Sequence, residues 1–138
     1  MIYNFVQFLK IQFPTENIYT NIYFKESTEN ELPNRLILVR ETGGIEQPVS
    51  NFLRATIQII VRDIDCPKSR KLAYDVYELF MDKGQFGLIL PAVTVDSILF
   101  ESIQTAQITA VQAPTSLGED AEGRTEFSTN YQIIYVRG

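Results

Sequence analysis

Apolar positions recur at two periods along this chain, and the switch between them marks its elements. At the N-terminus Ile2, Phe5, Val6 and Leu9 fall at spacings of three and four, and Phe13 extends the stripe to Pro14. That spacing predicts an amphipathic helix ended by the proline. Tyr3, Phe8 and Ile11 lie off the stripe, so the helix carries more apolar surface than one packed face uses. A second packing layer within the fold accounts for the excess; a subunit contact is the alternative. From Ile18 to Phe24 the period becomes two, with Ile18, Ile22 and Phe24 on one face and Tyr19, Asn21 and Tyr23 on the other, a predicted strand.

The stretch Glu26–Asn34, rich in acids and turn formers, reads as a solvated loop. RLILVRE is a short apolar run bracketed by charges, as a strand covered on both faces would be. Thr42–Asn51 reads as a second loop, with Gly43 and Gly44 suited to a tight reversal. FLRATIQIIVRD then alternates, Ala55, Ile57, Ile59 and Val61 against Arg54, Thr56, Gln58 and Arg62, broken only by Ile60. The two runs make an antiparallel hairpin with one buried and one partly wet face.

A second helix opens at Asp65 or Cys66 as cap, with Pro67 where a missing N–H costs nothing and Gly84 as terminator. Leu72, Val76, Leu79 and Phe80 form its buried stripe with Ala73 and Tyr77 beside it, while Lys68, Lys71, Asp75, Glu78 and Asp82 face water. FGLILPAVTVDSILF has no clear period and reads as a connection with a short strand near Val93 to Phe100. IQTAQITAVQAP alternates, and so does the last segment from Arg124 to Arg137, with Phe127, Thr129, Tyr131, Ile133 and Tyr135 on one side. These two strands flank the acidic stretch Gly118–Gly123 as a second hairpin. The order predicts one α+β domain over residues 1–138, a mainly antiparallel sheet of about five strands with two helices packed on one face.

Composition narrows the chemistry more than the fold. A chain of 138 residues with 45% apolar and 21% charged residues buries one core. Histidine is absent and cysteine occurs once, which removes histidine-based triads, histidine general bases, and zinc sites of histidine or clustered cysteine. No phosphate-binding glycine loop is present. Twelve basic against 17 acidic residues give a net charge of -5, the opposite of a nucleic-acid grip. Lys68, Arg70 and Lys71 come closest to a basic patch, and helical spacing to Asp75 and Glu78 makes them a neutralised outer face. No apolar window is long enough to span a bilayer, and MIYNFVQFLKIQF lacks a basic leader and a cleavage site. Cytoplasmic synthesis is therefore expected.

The remaining candidates are acidic. Glu119, Asp120 and Glu122 could hold a divalent cation, but the calcium-loop pattern is absent; a solvated hairpin tip or an electrostatic contact loop fits better. Asp63 and Asp65 stand two apart at a strand end, a spacing open to carboxylate chemistry, though capping explains Asp65 more simply. No catalytic residue, cofactor or metal is expected. A small α+β ligand-binding or regulatory domain is the alternative function.

Taken in order, the N-terminal helix ahead of a polar loop, RATIQIIVRD entering SRKLAYDVYELF, and Gln112-Ala113-Pro114 followed by Gly118-Glu119-Asp120, Gly123-Arg124 and Asn130-Tyr131 resemble the tail-completion or tail-terminator proteins of long-tailed bacteriophages, also called minor capsid proteins. The resemblance covers nearly the whole chain. It implies a non-enzymatic virion protein at the joint of tail and head, forming a ring expected to be a hexamer. Its partners would be itself, the tail tube protein and the head-tail connector, with DNA passing through the lumen. On that footing Gly43, Gly44, Glu119, Asp120, Glu122 and Arg124 are the candidate assembly contacts, and the loops Glu26–Asn34 and Thr42–Asn51 are the next candidates for contacts between copies in the ring.

Overall fold

The computed structural model describes residues 1–20, 32–46, 52–82 and 86–136. Helix α1 (Ile2–Gln12) precedes β1 (Ile18–Thr20), β2 (Leu36–Glu46) and β3 (Phe52–Asp63); α2 (Cys66–Asp82) is followed by β4 (Ile89–Leu90), β5 (Val93–Val95), β6 (Ile98–Phe100), β7 (Ile103–Ala110), β8 (Thr115–Glu119) and β9 (Thr125–Val136). The expected strand from Ile18 to Phe24, the loop at Glu26–Asn34, the Gly84 terminator and the end at Arg137 fall wholly or partly outside the described residues.

The main sheet has seven strands, not about five, in the order β1-β2-β3-β9-β7-β4 with β8 also paired to β9; β5 and β6 pair separately. All pairings are antiparallel except β1 with β2. The two additional pieces are short edge strands. β4 is two residues long, and every residue of β8 is exposed, so neither leaves an alternating signature.

Both helices serve one face. Phe5, Val6 and Leu9 of α1 and Leu72, Val76 and Phe80 of α2 join Ile37, Val39, Ile57, Ile59, Val61, Phe127, Tyr131 and Ile133 in a single buried cluster. Phe80 is its hinge, stacked on Phe5 at 5.2 Å and tilted against Tyr131 at 5.1 Å. Each such aromatic pair adds about 0.5–1.5 kcal/mol beyond the area it buries. The off-stripe residues of α1 mostly pack within the chain: Phe8 lies 5.9 Å from Phe80 and Tyr3 4.9 Å from Phe100, while Ile11 remains 55% exposed. On the opposite face Leu36, Leu38 and Ile60 form a smaller cluster under Tyr19 and Leu32, which accounts for the apolar Ile60 on the wetter side.

Three expectations are corrected. Arg62, assigned by alternation to the wet face, is fully buried, because its guanidinium donates to the carbonyls of Pro33 at 2.7 Å and Asn34 at 3.3 Å. Gly43 and Gly44 do not reverse the chain. β2 runs through them to Glu46, and the register shifts between Glu41 and Gly43, where Gly43 takes φ +106°, the one-residue bulge that a glycine accommodates. Finally, β7 does pair with β9, but the chain steps out after Ala110 and returns as β8, so the hairpin at the acidic turn is β8–β9.

Candidate assembly surface

The acidic turn between β8 and β9 is organised by Asp120. Its carbonyl accepts the Gly123 N–H at 3.1 Å, closing a four-residue turn in which Gly123 adopts φ +76°. Its Oδ1 accepts the N–H groups of Glu122 and Arg124, each at 2.9 Å, and its Oδ2 accepts Arg124 Nε at 2.7 Å. The two side chains are 7% and 3% exposed, so their charges face each other within the turn. Glu119 and Glu122 are exposed. The six expected contact residues therefore divide: Asp120 and Arg124 brace the tip, and Glu119 and Glu122 are what it presents.

Gly43 and Gly44 lie elsewhere. They sit opposite Thr56 and Ala55, whereas the acidic turn adjoins the Asp63–Thr125 end of β3. At a strand rise of about 3.3 Å per residue the two groups are roughly 23 Å apart. The bulge is held by Thr42 donating to Thr56 Oγ1 at 2.9 Å and Thr56 donating to the Gly43 carbonyl at 2.8 Å.

Asp63 and Asp65 are accounted for by structure. The Asp65 carbonyl accepts the Ser69 N–H at 2.9 Å and its Oδ1 the Lys68 N–H at 3.3 Å, the pattern of a helix N-cap. Asp63 Oδ1 accepts the Asp65 N–H at 3.0 Å and its Oδ2 accepts Arg35 Nη1 at 2.9 Å. Arg35 also forks onto Glu16, with contacts of 2.9 to 3.1 Å. Burial pushes the Asp63 carboxyl up, but the Asp65 N–H and the Arg35 guanidinium outweigh it and hold the group below the usual carboxylate range. A group so held does not exchange protons near neutral pH as a general base must. The cleft beside it, about 610 Å³, is lined by Arg35, Asp63, Asp65, Lys68, Lys71 and Asp75 among others, with Lys71 joined to Asp75 at 3.1 Å. Tyr131, fully buried against Phe80, has its hydroxyl pushed above its ordinary range by that burial.

Two surface features carry no strong sequence signal. The β5–β6 hairpin leaves Ile98 and Leu99 exposed at 58% and 60%. On α2 a flank formed by Arg70, Tyr74, Tyr77 and Met81 lies between the buried stripe and the charged outer face; its spacing of four, three and four residues was the available clue.

Among the described residues no group of three or more Cys, Asp or Glu could hold a metal ion, and no helix is long and apolar enough to cross a membrane. The family model of the bacteriophage tail terminator protein matches residues 16–137. The chain belongs to the bacteriophage tail terminator family. No curated protein matches it. The terminator match spans β1 to β9, including α2 and the acidic turn, and leaves α1 outside. This terminator is accordingly a structural component of a phage tail.

Proposed function

We propose that this terminator closes the end of the tail tube as a ring of six copies, joins it to the head-tail connector, and lets DNA pass through the lumen, with no bond made or broken by its side chains. The family match over residues 16–137 carries this reading. The net charge of -5 per chain supports it, because an acidic ring repels phosphate and leaves DNA free to slide. The braced turn supports it too: Glu119 and Glu122 are offered on a tip already ordered by Asp120 and Arg124, so docking does not have to order a loop. The Gly43–Gly44 bulge, at the far end of β3, would serve a different neighbour from the acidic tip.

The test is electron microscopy of particles assembled without this protein. Tails of uncontrolled length, or filled heads lacking tails, are expected. Normal particles would overturn the proposal.

A further inference from the structure

The β5–β6 hairpin stands apart from the main sheet. Each strand has three residues, and Asp96 and Ser97 turn between them at φ 51° and 66°, the tight two-residue turn whose twist suits a hairpin. Its base is fixed to α1. Buried Asn4 donates through Nδ2 to the carbonyls of Pro91 at 3.0 Å, Phe100 at 3.3 Å and Glu101 at 2.8 Å, and Phe100 packs on Tyr3. Beyond that base, Ile98 opposite Val95 and Leu99 opposite Thr94 leave apolar side chains on both faces of the ribbon. A two-stranded ribbon is marginally stable alone in water, so an anchored one with exposed apolar side chains beside its tip gains by being covered.

A matching recess lies on another part of the same chain. Tyr77, Phe80 and Met81 of α2 and Ile108, Thr109 and Ala110 of β7 line an apolar groove of about 140 Å³, on the order of the volume that holds one benzene-sized group. Met81 at its rim is 54% exposed. The flank continues to Tyr74, whose ring meets Tyr77 edge-on at 6.1 Å, and to Arg70, whose guanidinium lies 4.8 Å from the Tyr74 ring centre. Arginine and tyrosine concentrate at the energetic centres of protein interfaces, and methionine is enriched in interfaces relative to the rest of the surface.

Resting on the ring reading above, we infer that the β5–β6 hairpin of one copy seats in the α2–β7 groove of the next. Leu99 enters between Tyr77 and Met81, and Asp96 at the tip meets Arg70. Charge and length argue for this occupant. Asp96 and Arg70 are both exposed, and among the described residues neither has an oppositely charged partner. The run from Arg70 to the midpoint of Tyr77 and Met81 covers about 13 Å of helix, and Asp96 and Leu99 stand up to about 10 Å apart along the ribbon, a difference the long Arg70 side chain can span. Knob and groove are unlike patches on one chain, so their contact is head-to-tail, the kind that closes into a ring.

Cysteine cross-linking of full-length protein tests this in a Cys66→Ser background, with and without isolated tail tubes. The Leu99→Cys, Met81→Cys double variant should give a cross-linked ladder ending at the closed ring, and neither single variant should. Asp96→Arg should lower the cross-link yield several-fold, and adding Arg70→Asp should restore it. Native mass spectrometry of the wild-type protein on the same tubes runs alongside. A ring without the 81–99 link overturns this contact and leaves the ring reading standing; absence of any ring overturns both.

Discussion

Truncating Asp120 to alanine removes the acceptor of three hydrogen bonds at 2.7 to 2.9 Å and the carboxylate nearest a guanidinium that is only 3% exposed. An exposed loop acid would be expendable, since surface substitutions usually change stability by less than about 0.5 kcal/mol. Here the lost carboxylate faces a buried charge, and breaking one side of such a pair costs about 3 kcal/mol or more. Asn at the same position gives up the charge but keeps an oxygen for the Glu122 and Arg124 N–H groups, so Asp120→Asn should cost about 1–2 kcal/mol less than Asp120→Ala. Against a total stability of roughly 5–15 kcal/mol, Asp120→Ala is a large perturbation. Urea unfolding followed by circular dichroism measures it: the midpoint should fall in the order wild type, Asn, Ala, with the slope unchanged. An Asp120→Ala variant within about 0.5 kcal/mol of wild type would refute the claim that Asp120 and Arg124 brace the turn.

Glu119→Lys with Glu122→Lys should leave the unfolding midpoint within about 0.5 kcal/mol of wild type while abolishing head-to-tail joining in an assembly assay. Joining at the wild-type level would remove the acidic tip from the contact. The depressed pKa of Asp63 stabilises the fold fully above the unfolded value of about 3.9 and is lost as pH falls through the folded value below it. Asp63→Asn should therefore be less stable than wild type at pH 7 and lose less stability on acidification towards about pH 2, which unfolding at stepped pH will show. Asn4→Ala removes three hydrogen bonds at the base of the β5–β6 hairpin; a loss of about 1–3 kcal/mol and faster amide exchange at Val93–Val95 and Ile98–Phe100 are expected.

Much of this fold is legible where burial alternates regularly. In β3 and β9 one face lies against α1 and α2, so Ile57, Ile59, Val61, Phe127, Tyr131 and Ile133 fall at even spacings, two or four apart, as packing requires. The same holds for Leu72, Val76 and Phe80 of α2 and for the Asp65 cap, whose partners are local. Features that depend on distant segments are not legible. Arg62 occupies a polar position in the alternation, and the carbonyls of Pro33 and Asn34, from a segment 28 or 29 residues earlier, receive its guanidinium in the buried position. β8 is exposed at every position and so has no apolar period to reveal it. Two adjacent glycines serve a bulge as well as a reversal, and the continuation of β2 beyond Gly44 follows from pairing with β3. The acidic turn is visible in sequence as charge; that Asp120 and Arg124 turn theirs inward, leaving Glu119 and Glu122 outward, requires the hydrogen bonds of the folded turn.

As proposed above, this terminator would work by encircling the end of a tube. Native mass spectrometry and cryo-electron microscopy of the full-length protein mixed with isolated tail tubes address it directly. Six copies as one closed ring at a single end of each tube, around an open lumen, are expected. Protein that stays monomeric with tubes present, or that binds along their sides, would contradict it.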